Sequence, residues 1–283
     1  MKYFVFSLFL SLSTVLLSQS EPALNAFWNN YSVRNPAMTG LIYKHEASVN
    51  FQENFSWKYS PTTLIASYAA QIDKVGGLGV NYMYDQYGYM TRNQANLNYS
   101  YHFKFNDSNQ VLALGIGLGL VNASSKVYEL MGSQMPLSNA SQNQNGFTLN
   151  LGMAYKNKNF TAGIGLTQVN EVKLDRVFIQ QRRHVNLFVD YTFSATENLK
   201  FKPTASFISD GDFHTTEFNL LAIIKNSFWV GASYRSRNTA SAMLGYDIRQ
   251  KFRIGYAYGF TFSQLNPGID AGNHELVLAF IIK

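Results

Sequence analysis

The sequence predicts an all-β protein, a transmembrane antiparallel β-barrel of about 14 strands, and three observations predict it. The first is strict two-residue alternation, clearest in residues 93–105, NQANLNYSYHFKF. Ala95, Leu97, Tyr99, Tyr101, Phe103 and Phe105 alternate there with Gln94, Asn96, Asn98, Ser100, His102 and Lys104. Successive side chains of a strand point to opposite faces, so this ribbon has one aromatic face and one polar face. It is long enough to cross hydrocarbon, which takes roughly ten tilted residues. The second is that beyond residue 20 no stretch reaches the ~18 uninterrupted apolar residues of a spanning helix. The third is that tight polar connections alternate with longer ones, as periplasmic turns and outer loops do in such barrels.

Residues 1–20 read as an export signal, with Lys2 as the positive start, an apolar run over residues 3–17, and Ser18 or Ser20 at the cleavage point. That run is too short for a spanning anchor and no basic stop-transfer cluster follows it. Residues 21–44, EPALNAFWNNYSVRNPAMTGLIYK, follow neither period. They are a short N-terminal segment that either plugs the periplasmic mouth or forms a lead-in. Phe27, Trp28 and Tyr31 favour the plug, because three aromatic rings are costly to leave in water.

Residues 45–283 carry the barrel pattern throughout, with no sign of a second domain. Ala47, Val49 and Phe51 share a face, then alternate residues of 62–70, then Leu78, Val80, Tyr82 and Tyr84. After the opening ribbon come Leu112, Leu114, Ile116, Leu118 and Leu120, opposite Ala113, Gly115, Gly117 and Gly119. The same alternation recurs over residues 147–155, 160–166, 185–193, 201–207, 218–224, 228–234, 242–246, 252–260 and 274–282. The inner turns fall at residues 73–76, 106–109, 157–158, 195–198, 226–227 and 247–250, all rich in Asn, Asp, Gly or Ser. The outer connections fall at residues 54–60, 85–92, 122–144, 169–180, 209–214, 236–238 and 261–273, of which 236–238 is the short exception.

Composition agrees. The 283 residues are 46% hydrophobic and include 18 Tyr, 22 Phe and 20 Gly, yet mean hydropathy is only -0.12. Greasiness is thus spread residue by residue. No cysteine is present, which excludes disulfides and a lipidated N-terminal cysteine and leaves strand pairing and burial as the scaffold. The formal charge of +6 comes from scattered Lys and Arg, with no patch suited to nucleic acid.

No catalytic, cofactor-binding or metal site emerges, and the reading is of a protein that is not an enzyme. GIGLGL at residues 115–120 fits a strand with inward glycines better than a phosphate loop, since no helix follows. Inward glycines recur at Gly77, Gly79, Gly163, Gly165, Gly255 and Gly259, leaving lumen space for a plug, a passing chain or water. Ser100 and His102 share a face, but nothing marks an activated nucleophile. His45, His102, His184, His214 and His274 sit on separate segments without metal-ligand spacing, and Asp210 and Asp212 read as a turn and not as a calcium loop.

Four pieces together resemble the PorP/SprF family, outer-membrane proteins of the type IX secretion system of Bacteroidetes: NPAMTG at residues 35–40, GLGVNYMYDQYG at 77–88, LNYSYHF at 97–103 and GNHELVLAF at 272–280. Where that family tends to have an aromatic after Asn-Pro-Ala, this chain has Met38. The resemblance implies an outer-membrane location and a role in secreting or displaying a partner protein, such as an adhesin used in gliding motility. It implies as partners outer-membrane lipid, a secreted or surface-anchored protein, and other secretion-system subunits. The alternative is a channel or transporter for small or hydrophobic solutes, since a barrel of this size has room for a lumen.

Overall fold

The computed structural model describes residues 24–54, 60–72, 76–105, 109–125, 142–177, 179–236, 239–261 and 272–283. The expected export signal, and the centres of the connections at 55–59, 73–75, 106–108, 126–141, 237–238 and 262–271, lie outside the described residues. Fourteen strands form the wall: β1 His45–Glu53, β2 Thr62–Ile72, β3 Gly76–Tyr87, β4 Met90–Lys104, β5 Val111–Ser125, β6 Gln142–Lys156, β7 Phe160–Thr167, β8 His184–Tyr191, β9 Leu199–Ser209, β10 His214–Ile224, β11 Phe228–Arg235, β12 Thr239–Ile248, β13 Phe252–Thr261 and β14 Asn273–Ile282. A short run, Phe193–Thr196, continues β8 and also pairs with β9. Each strand is antiparallel to its sequence neighbours. The sheet closes where β1 meets β14, from His45 opposite Ile282 to Glu53 opposite His274. Closure leaves no wall edge unpaired, which a bilayer requires.

Alternation becomes facing. On β4, Leu97 is 56% exposed and Tyr99 42%, whereas Asn98 is 1% and Ser100 0%. The outward residues of the other strands repeat this, among them Leu118, Leu151, Phe218, Leu244 and Leu276. These form the surface that meets lipid.

One expected loop is absent. Residues 85–92 continue β3 and β4, which close through a two-residue turn at Gly88 and Tyr89, with Gly88 at φ +58°. Likewise β5 runs on to Ser125 and β6 starts at Gln142, inside the expected 122–144 connection. Polar residues continue the pairing there because a strand leaving the membrane no longer needs an apolar face. At the opposite end, the turns at Lys225 and Asn226 and at Arg249 and Gln250 have two consecutive positive φ values. That is the turn form whose twist matches adjoining strands.

Candidate functional site

Residues 24–44 lie inside the barrel. Phe27, Trp28, Tyr31, Met38 and Leu41 are all buried, which removes from water the rings the sequence leaves without a strand. The segment folds as three single 3-10 turns, Phe27–Asn29, Tyr31–Val33 and Pro36–Met38. The last follows from local chemistry. Asn35 Oδ1 accepts the Ala37 N–H at 3.0 Å, and Pro36 fills a first-turn position that has no use for an N–H.

This NPAM turn lies in a groove written into five strands. Gly77, Ser100, Gly115, Gly152 and Gly165 are register partners in sequence across β3 to β7, so they make one row running across the wall. A Cβ added at Gly77 would strike Thr39, at Gly115 Pro36 and Ala37, at Gly152 Asn35, and at Gly165 the Arg34 carbonyl. The plug backbone therefore occupies the volume that side chains would otherwise take. Ser100, the one row member with a side chain, donates its hydroxyl to the Ala37 carbonyl at 2.9 Å.

Some plug carbonyls and amides find no partner within these turns, and wall side chains supply them. Asn81 Nδ2 donates to the Ser32 carbonyl at 3.0 Å and Lys156 Nζ to the Leu41 carbonyl at 2.9 Å, while in the other direction the plug's Asn35 Nδ2 donates to the Met153 carbonyl of the wall at 3.0 Å. Glu275, fully buried on β14, accepts the N–H of Asn25 at 2.6 Å and an Asn50 amide at 2.8 Å. Arg235 on β11 donates to the Leu24 carbonyl at 2.8 Å and pairs with Glu217 at 3.3 Å.

The far wall is met by aromatic packing. Trp28 stands edge-on to Trp229 with centroids 5.1 Å apart, and the Trp229 ring fills space left by Gly245 and Gly255. Arg253 holds Asp247 through two contacts of 2.8 Å, donates to Asn29 at 3.1 Å, and lies 5.1 Å from the Trp28 ring centre. Tyr31 stacks on Phe188 at 4.5 Å and donates its hydroxyl to Asp190 at 2.9 Å. Burial first, and the Asp190 carboxylate second, push the Tyr31 phenol well above its ordinary pKa, so it remains the donor.

The segment spans more depth than a plug confined to the periplasmic mouth, as expected from sequence, would. Lys44 N–H bonds the Ile282 carbonyl at the short-turn end, whereas Leu24 and Asn25 meet Arg235 and Asn273 at the opposite strand ends. The expected outer connection at 169–180 also turns inward. Its two-residue ribbon, Lys173–Leu174 with Ile179–Gln180, carries Leu174 and Val177 onto the lumen side of Val121 and Ala123. Gly146 leaves the room, since a Cβ there would strike Val172 and Leu174.

The side chains weighed for chemistry are placed in structural roles. The Ser100 hydroxyl is taken by the plug, and His102 is buried beside it on β4. Asp210 caps its own turn by accepting from Asp212 N and Phe213 N, and Asp212 pairs with Arg182. Among the described residues no cluster of three or more His, Cys, Asp or Glu could hold a metal ion. Sequence reasoning did not single out Asn35, Glu217, Arg235, Arg253 or Glu275. Their signal was a charged residue at lumen parity within a strand or at its end, and for Asn35 its position before Pro36.

Solved outer-membrane barrels share this architecture. The Ralstonia pickettii toluene transporter TbuX matches with TM-score 0.53 at 9% identity, covering 89% of this chain and 93% of that one. A Pseudomonas aeruginosa FadL homologue matches at 0.51 and 12%, covering 89% and 94%. The Acinetobacter baumannii outer membrane protein Omp33 matches at 0.50 and 12%, covering 86% and 100%. Identities this low establish the fold alone. No curated protein matches. The family model for the type IX secretion system membrane protein PorP/SprF matches residues 16–280, nearly the whole chain. The chain therefore belongs to the PorP/SprF family of type IX secretion system membrane proteins, and it is an outer-membrane β-barrel.

Proposed function

We propose that this barrel aids the secretion or surface attachment of a partner protein of the type IX pathway, such as an adhesin, and has no enzymatic activity of its own. Family membership supports the pathway. The observation that carries the choice over a solute channel is the occupied lumen, where residues 24–44 are seated on the glycine row on one side and on Trp229 on the other. A barrel filled in this way offers its rim and outer loops to a protein and offers a solute little cross-section. Other secretion-system subunits and outer-membrane lipid complete the expected surroundings.

Deleting the gene and comparing surface and medium proteins with small-solute uptake tests this reading. One or a few secreted proteins should leave the cell surface while uptake is unchanged. Intact secretion with lost uptake would establish the channel instead.

A further inference from the structure

Three strands, β4 to β6, are the longest of the wall, and the last of them stands beside a much shorter neighbour. β4, β5 and β6 have 15 residues each, whereas β7 and β8 have 8. β6 pairs with β7 only from Leu151, opposite Leu166, down to Lys156, opposite Thr161. Residues 142–150 therefore hold β5 on one side, from Ser125 opposite Gln142 to Gly117 opposite Asn150, and no strand on the other.

The lower part of this edge is closed by the chain itself. The Leu149 carbonyl accepts the Val169 N–H at 2.8 Å, and the Asn170 side chain accepts the Leu149 N–H at 3.0 Å and donates to the Phe147 carbonyl at 2.6 Å. Odd-numbered residues of β6 thus turn their backbone groups toward the β7 side, and even-numbered ones toward β5. The capping stops where the apolar band stops. Phe147 belongs to the last apolar outward row, in register with Tyr82, Ala95 and Leu120, and the row above it is Tyr84, Asn93, Asn122 and Asn145. Asn145 and Asn143 are exposed, and among the described residues no strand pairs with their open side. The ribbon of residues 173–180 pairs only with itself and lies on the lumen side. Residues 142–150, QNQNGFTLN, contain neither charge nor proline, the usual protections of an exposed edge.

We propose that the β6 edge at residues 143–147 docks an extended segment of a partner protein, which adds one strand to the wall just outside the membrane. Asn143 and Asn145 each offer an N–H and a carbonyl, and Phe147 offers its N–H, so main-chain bonds hold the added strand. Inside the bilayer an open edge is forbidden, which is why Val169 and Asn170 close it there; above the bilayer it is free to serve as a template. The inference rests on the reading that the barrel meets a protein partner at its outer rim, and it names the contact.

Proline supplies the test, because it removes an N–H and is tolerated where that N–H faces away from the sheet. Full-length variants are returned to cells lacking the gene, and surface proteins are compared with those of the parent and of the deletion. Asn143→Pro with Asn145→Pro should give an inserted, heat-modifiable barrel that still lacks the surface proteins lost on deletion, and either single proline serves if the pair does not insert. Asn93→Ala with Ser124→Ala, which alters the outward face of the neighbouring strands and no edge group, should restore them. In purified protein in phosphatidylcholine nanodiscs, the Asn143 and Asn145 amides should exchange freely with deuterium while Gln144 and Gly146, directed at β5, are protected. Full restoration by the proline variants would overturn the edge proposal alone, whereas a deletion that leaves every surface protein in place would overturn the secretion reading and this inference with it. Equal loss in Asn143→Ala with Asn145→Ala, which keeps both N–H groups, or protected edge amides in the purified barrel, which would mean that the chain covers its own edge, would also contradict the proposal.

Discussion

Leu97 and Ser100, three residues apart on β4, answer to two different surroundings. An Arg at Leu97 or Tyr99 meets hydrocarbon and should cost roughly 2–4 kcal/mol near the bilayer middle, measurable as a lowered urea midpoint on folding into vesicles. From alternation alone, Arg at Asn96, Asn98 or Ser100 should be tolerated far better, as in a water-filled lumen. The structure corrects this, because these residues are 8%, 1% and 0% exposed among plug and wall groups. Ser100→Arg should therefore leave a folded, heat-modifiable barrel whose plug has been displaced, seen as new protease sensitivity within residues 24–44. Unchanged protease resistance would show that the Ser100 bond to Ala37 does not help seat the plug. Arg235 gives a second test. Arg235→Met strands the buried Glu217 carboxylate and the Leu24 carbonyl, a loss of about 3–5 kcal/mol. The double variant Arg235→Met, Glu217→Leu should recover part of it, and equal losses would mean that the pair is not coupled.

Among the elements, the strands were legible and the plug's path was not. Alternation marked the lipid-facing and lumen-facing sets of β4 and β5 because period-two patterning is local and each residue reports its own face. The β3 to β4 hairpin was misjudged as a loop at residues 85–92, since above the membrane both faces of a strand turn polar and the contrast fades. The inward glycines were visible one strand at a time, but their alignment into a row depends on four registers that no single segment encodes. The partner motif NPAM lies far away in sequence, so the match between its turned backbone and a row of missing side chains appears only on folding. Gly115→Val and Gly152→Val should each unseat residues 34–39 with the wall intact, while Gly88→Ala, in open space at a positive φ, should cost only local turn stability. If instead the first pair leaves the plug as protected as in the parent chain, the row is incidental.

At the scale of the whole molecule the wall and its contents are separable. Closure of β1 on β14 satisfies the bilayer without help from the plug, whereas the plug depends on the wall for its hydrogen bonds and for its apolar burial. Loops at the outer rim can likewise change without disturbing the strands. Shortening residues 126–141, between the ends of β5 and β6, should leave the barrel inserted and remove one or a few secreted proteins from the surface, read by surface proteomics. The central claim is that residues 24–44 fill the lumen, and single-channel recording in planar bilayers tests it most directly. The parent protein should be electrically silent, and the double variant Gly115→Val, Gly152→Val should open steady ion conductance. Conductance of equal size in the parent protein would contradict the account.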